Sequence, residues 1–125
     1  KAMEVELRER GIKYEEQRVL PIYYKGKYVV GEGKPDLIIL IELESGKRVR
    51  IIIDLKTDTD IKEDHKIQIQ KYIKALNKSL PSENDIVYPA GFIINFIKPS
   101  KRKLDGKIIQ LNDSMIQLLK VDVEI

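Results

Sequence analysis

Residues 35 to 56 constrain the fold more than any other stretch. They read Pro35-Asp36, an apolar run Leu37-Ile38-Ile39-Leu40-Ile41, a turn at Glu44-Ser45-Gly46-Lys47, a second run from Val49 to Ile53, and then Asp54-Leu55-Lys56. Two apolar runs joined by a Gly-containing turn predict a β-hairpin. A hairpin folds the start of its first strand onto the end of its second, so Asp36 and Asp54 converge and Lys56 lies beside them. Strand alternation puts Asp54 and Lys56 on one face and Leu55 on the other.

Register decides whether Asp36 joins that face. A turn of two or four residues pairs 44 with 47 and leaves Asp36 opposite Leu55, facing away. A three-residue loop with Gly46 in the left-handed conformation, or a bulge near Asp36, moves the pairing by one and brings Asp36 to Asp54. We expect that shift. Two carboxylates held so close repel unless a cation sits between them or one takes a proton. Hard oxygen donors with open positions suit Mg²⁺ or Mn²⁺.

The flanking segments read as follows. Residues 2 to 10 predict a helix closed by Gly11, with Glu6 and Arg10 at ion-pair spacing. Residues 14 to 24 predict a strand with Pro21 at an edge. Lys25-Gly26-Lys27 turns the chain into Tyr28-Val29-Val30, and Gly31-Glu32-Gly33 permits an unusual backbone path into Pro35. Asp60 and Glu63 fit a capping box for a helix from about Ile61 to Lys78, stopped by Ser79, Pro81 and Ser82. Helical spacing aligns Ile61, His65, Gln68, Ile69, Tyr72 and Leu76. Polar groups on a buried-looking face need partners, which marks His65, Gln68 and Tyr72. Gly91 to Phe96 predicts a buried central strand reached by a right-handed crossover. Ile108 to Leu111 predicts another strand, Asn112-Asp113-Ser114 the cap of a short helix over 115 to 120, and Val121 to Ile125 a last strand.

At 125 residues the chain makes one domain, 1–125, without a separate specificity domain. Its 42 % hydrophobic and 34 % charged residues predict a soluble globular protein. Without cysteine there is no disulfide or thiolate chemistry. No apolar run approaches a membrane span and no signal-peptide pattern opens the chain, so an intracellular, cytoplasmic protein is expected. The first residue is Lys1, and residues upstream of it are expected to be missing. The net charge of +3 leans toward an anionic partner such as nucleic acid.

Pro35-Asp36 followed by Asp54-Leu55-Lys56 resembles the signature of the PD-(D/E)XK nuclease superfamily. The order helix, three strands, helix, strand is the arrangement that resemblance implies: an α/β (α+β) fold with a restriction-endonuclease-like core, a mixed central sheet flanked by helices in the order αβββαβ. Glu6 to Lys27, the Gly-Pro-Asp lead-in, Asp54-Leu55-Lys56, His65 to Leu76 and Gly91 to Phe96 together resemble the GxxExxxR family of small PD-(D/E)XK proteins, over most of residues 2 to 111. Gln68 and Tyr72 match the Q-x-x-x-Y helix motif of members related to RecB-type nucleases. The hairpin is longer than that family implies, by Glu44 to Arg50. Met3 stands at the glycine position of the name-giving motif, and residues after 111 have no clear counterpart. The family's upstream acidic helix residue falls before Lys1 if it is present in the protein.

The resemblance implies a metal-dependent deoxyribonuclease. Asp36, Asp54 and the Leu55 carbonyl would bind Mg²⁺ or Mn²⁺, and Lys56 would orient or activate the attacking water and stabilise charge on the phosphoryl group. Gln68 and Tyr72 would brace the site or bind backbone phosphate. His65 would add a ligand or, preferably, orient a carboxylate. Lys25, Lys27, Lys98, Lys101, Arg102 and Lys103 would hold phosphates of DNA. A lone domain this small often cuts duplexes as a dimer, so a homodimer joins DNA among the expected partners. A catalytically silent nucleic-acid-binding module of the same fold is the alternative, and a protein-interaction domain a third.

Overall fold

The computed structural model describes residues 2–25, 27–57, 60–97, 104–110 and 114–124. In chain order the elements are α1 (Ala2–Glu9), β1 (Lys13–Glu16), β2 (Leu20–Tyr24), β3 (Tyr28–Gly33), β4 (Leu37–Glu42), β5 (Arg48–Lys56), α2 (Glu63–Lys78), β6 (Asp85–Val87), β7 (Ala90–Ile97), β8 (Lys107–Gln110) and β9 (Met115–Asp122). One sheet runs in the order β1-β4-β5-β7-β9-β8, with β6 also pairing β5, while β2 and β3 form a separate two-stranded ribbon. β5 pairs β6 and β7 in parallel and β4 antiparallel, so the sheet is mixed. With the ribbon and the short strand β6 set aside, α1, β1, β4, β5, α2 and β7 keep the order αβββαβ. The architecture is a mixed α+β fold consistent with a restriction-endonuclease-like core.

Period-two alternation in β5 divides the core. Ile52 packs with Ile38, Ile69, Ile73, Leu76 and Ile93 under α2. Ile53 packs on the other face with Leu7 and Leu37, and Ile51, Leu55 and Phe92 lean on them. The Ile52 face, which carries Asp54 and Lys56, is therefore the face that α2 covers. Away from that site, Arg48 Nε and Nη2 lie 2.8 and 3.1 Å from the Asp85 carboxylate, and Arg50 Nη1 lies 2.6 Å from it. The Asp85 side chain is enclosed by these contacts, and the two guanidinium groups hold its carboxyl well below the usual carboxylate range. This cluster ties β6 to β5 beyond their backbone ladder.

The helix ends follow their residues. Gly11, at φ +70°, follows α1 in the left-handed conformation. α2 stops at Lys78 as expected, and Ser79 Oγ donates to the Ala75 carbonyl at 3.0 Å. Its start differs from the Asp60–Glu63 box. Lys62 is the N-cap, and its amide donates to His65 Nδ1 at 3.1 Å. Asp60 Oδ1 instead accepts from the Ile61 amide and from Gln117 Nε2.

Two strand expectations also change. The strand expected over 14 to 24 breaks at Gln17, where φ is +47° and the amide donates to the Asp36 carbonyl at 3.3 Å. Past the break the chain leaves the main sheet, and β2 pairs only β3. The helix expected over 115 to 120 is strand β9, held between β7 and β8. Met115, Gln117 and Val121 are buried there, so long-range pairing overrides a local cap signal. Asn112, Asp113 and Ile125 lie outside the described residues. No helix of the described residues is long and apolar enough to cross a membrane.

Candidate active site

The hairpin closes through a three-residue loop. The Leu43 amide donates to the Lys47 carbonyl at 2.8 Å, and the Gly46 amide to the Leu43 carbonyl at 3.0 Å. Gly46 takes φ +90°, a conformation that glycine reaches without steric cost. This loop sets the pairing of Leu37 with Ile53 and of Ile38 with Ile52. One step further, Asp36 arrives beside Asp54, the shift expected from the turn. Buried Pro35 has no amide to continue the ladder, which helps end β4 there.

The two carboxylates interlock with the strands that carry them. The Asp36 amide donates to Asp54 Oδ1 at 3.0 Å, and the Leu55 amide donates to Asp36 Oδ2 at 2.8 Å. Each side chain is thus pinned by backbone from across the hairpin, with its second oxygen left to meet other groups. Asp54 is only 3 % exposed. Burial pushes its carboxyl above the ordinary range, the Asp36 amide pulls it back, the Asp36 charge raises it and Lys56 lowers it. A buried acid raised by a neighbouring acid is a site that gains from a cation.

Lys56 supplies one fixed positive charge. Its Nζ lies 3.8 Å from Asp54 Oδ2 and 3.4 Å from Gln68 Oε1. Gln68 and Tyr72 stand one turn apart on α2 and face the same hollow. Tyr72 is 6 % exposed. Burial and the Asp54 charge raise its phenol, the Lys34 amide opposes them, Asp36 raises it further and Gln68 lowers it. The phenol therefore senses both acids.

Gly33 lets Tyr72 come this close, since a Cβ there would sit 2.3 Å from Tyr72 Cε1. Gly31 faces open space. The Gly31-Glu32-Gly33 path is therefore explained at one of its glycines by ring packing.

The structure brings Asp36, Asp54, Leu55, Lys56, Gln68 and Tyr72 together. It places the other candidates elsewhere. The Nδ1 of His65 is occupied in closing the start of α2, so that nitrogen is not a metal donor. Glu6 and Arg10 form an exposed i,i+4 contact at 3.6 Å on α1. Lys25 and Lys27 are exposed around the tip of the ribbon. Lys98, Lys101, Arg102 and Lys103 lie outside the described residues. The ribbon adds what the sequence did not foretell: a cleft of about 430 Å³ against α2, where Glu32, Gly33 and Ile22 face Asp64, Ile67, Gln68, Lys71 and Tyr72. Only the break at Gln17 signals it, and glutamine is no turn marker.

The groups that could hold a cation here are all oxygen: the Asp36 and Asp54 carboxylates and the Leu55 carbonyl. No group of three or more His, Cys, Asp or Glu side chains able to hold a metal occurs among the described residues. Two carboxylates suffice for Mg²⁺, which keeps several waters and takes one or two carboxylates together with substrate phosphate. The mutually repelling pair, with Asp54 buried and Asp36 half-buried, fits such an ion.

Residues 1–107 match the family model described as PD-(D/E)XK nuclease superfamily, a span that includes every residue of this site. No curated protein and no solved structure gives a significant match to the chain.

Proposed function

The chain belongs to the PD-(D/E)XK nuclease superfamily, and from that membership we propose that it is a metal-dependent deoxyribonuclease that hydrolyses phosphodiester bonds at Asp36, Asp54 and Lys56. The observation that carries the reading is the reciprocal lock of Asp36 and Asp54, with Lys56 Nζ 3.8 Å from Asp54. Such a pair is costly for a fold that does not use it.

Asp36, Asp54 and the Leu55 carbonyl would hold Mg²⁺ or Mn²⁺. The bound ion supplies Lewis acidity toward the phosphate and a nucleophilic water at neutral pH. Lys56 hydrogen-bonds the attacking water and offsets charge on the phosphoryl oxygens as the bond from phosphorus to the departing sugar oxygen breaks. Gln68 steadies the Lys56 ammonium at 3.4 Å. Tyr72, packed on Gly33, walls the site and offers its phenol to a phosphate oxygen. The finer placement in the GxxExxxR family, with endonucleolytic action on DNA and a homodimer, belongs to the same proposal.

Cleavage of plasmid and single-stranded DNA with Mg²⁺ or Mn²⁺ tests it, comparing the wild type with Asp54→Asn and Lys56→Ala. The expected result is cleavage by the wild type alone. Equal activity in all three proteins removes the mechanism. A salt-sensitive DNA shift in EDTA with no cleavage under any metal makes the chain a silent binding module.

A further inference from the structure

The cleft between the β2–β3 ribbon and α2 carries a feature that phosphate hydrolysis does not require. It opens beside Gln68 and Tyr72, and its walls include Ile22, Val30 and Ile67. Val30 is 64 % exposed and Ile67 44 % exposed, and neither joins a core cluster. Asp64 stands at one end and Lys71 at the other, about 10 Å apart along the helix axis. Past Lys71 the groove continues as a hollow of about 140 Å³ where Ile22 and Tyr23 face Lys74 and Lys78. The Lys78 ammonium sits 4.8 Å from the centre of the Tyr23 ring. No ion pair engages Lys71 or Lys74 among the described residues.

An apolar wall, a catalytic site beside it and two available cations in a row select among nucleic acids. A duplex turns phosphates and sugars outward and hides its base faces, so Val30 and Ile67 would find nothing to cover them. An unpaired nucleotide offers a phosphate and a base face together. A cleft of about 430 Å³ has room for one nucleotide. Asp64 repels phosphate from its end of the cleft, which directs a strand toward Lys71 and Lys74.

We propose that this groove seats a single strand of DNA. The nucleotide next to the scissile phosphate lies unpaired with its base on Ile22, Val30 and Ile67, and the following phosphates run past Lys71 and Lys74. The substrate class is single-stranded or frayed DNA. This rests on the nuclease reading, because Asp36 and Asp54 define where the scissile phosphate lies. Its test needs no cleavage.

Fluorescence anisotropy in EDTA would compare a homothymidine oligomer, an abasic oligomer of equal length and charge, and a blunt duplex. The homothymidine strand is expected to bind about tenfold more tightly than either of the others, the effect of removing about 55 Å² of apolar surface from water. The double variant Val30→Ser with Ile67→Ser, both at exposed positions, should bring homothymidine down to the abasic level and leave the duplex unchanged. Lys71→Ala and Lys74→Ala should each flatten the slope of log affinity against log salt by about 0.7 for the single strand. Duplex binding as tight as single-strand binding, no binding to any of the three, or a thymidine preference that survives the double variant overturns the proposal. Strand preference without cleavage sinks only the nuclease reading, and cleavage with duplex preference sinks only this one.

Discussion

Asp54→Asn should make the metal-free protein more stable while abolishing its activity. Asparagine has the same shape, and its Oδ1 can still accept from the Asp36 amide, a hydrogen bond now 3.0 Å long. Its Nδ2 can donate to Asp36 where the wild type sets carboxylate against carboxylate. Unit charges about 4 Å apart interact by about 4 kcal/mol at an effective dielectric of about 20. Repulsion from Asp36 and attraction from Lys56, whose Nζ lies 3.8 Å from Asp54 Oδ2, act in opposite directions and offset one another in part. What remains is the cost of burying the charge, the largest cause of the raised Asp54 pKa. Single stabilising substitutions commonly gain about 0.5 to 2 kcal/mol, and active sites are where stability is given up for activity. For a domain of this length that is a rise in Tm of roughly 2 to 8 °C.

The sign with pH is fixed by the direction of the shift. An acid with a raised folded pKa binds more protons folded than unfolded, so it loses stability as pH rises from the unfolded value, about 3.9, to the folded one. Above the folded value the penalty is constant. The advantage of Asp54→Asn should thus be full at neutral pH and vanish in acid. Urea denaturation in EDTA across a pH series measures it. An asparagine variant no more stable than wild type at neutral pH, or an advantage that does not change with pH, refutes the account of this pair.

Gly33→Ala should destabilise by about 1 to 3 kcal/mol and cut activity, because its methyl would press on the Tyr72 ring; denaturant midpoints and cleavage rates check both effects. Lys56→Ala should lower cleavage by about 10² to 10³ while metal affinity, followed by calorimetry, stays within a few-fold. Asp85→Asn should lower the midpoint at neutral pH. Because Arg48 and Arg50 lower the Asp85 pKa, its contribution is present above about pH 4 and fades as pH falls, so the gap from wild type should close in acid.

Much of the site was legible because local rules and the fold agreed. Gly46 in the turn, with period-two strands on either side, was enough to expect the register that sets Asp36 beside Asp54. Gln68 and Tyr72 were visible as polar groups on a helical face that should be apolar, and both turn toward the acids. The ribbon was hidden because the chain turns out of the sheet at Gln17 on a positive φ that no glycine or asparagine advertises. Without the ribbon, neither the cleft nor the role of Lys71 could be seen. His65 looked like a site residue because it shares the helical face, yet one turn from the helix end its nearest unmet donor is the Lys62 amide. The helix expected over 115 to 120 gives way to β9 because Asn112-Asp113-Ser114 is only a local cap pattern, while β7 and β8, which claim residues 115 to 122, come from elsewhere in the chain.

The seat for a divalent ion is tested most directly by a crystal soaked in Mn²⁺ and measured at the manganese absorption edge. The account predicts an anomalous peak about 2.0 to 2.3 Å from one oxygen each of Asp36 and Asp54 and from the Leu55 carbonyl, absent in Asp54→Asn. A map with no peak between the two aspartates, or one unchanged by the substitution, would contradict it.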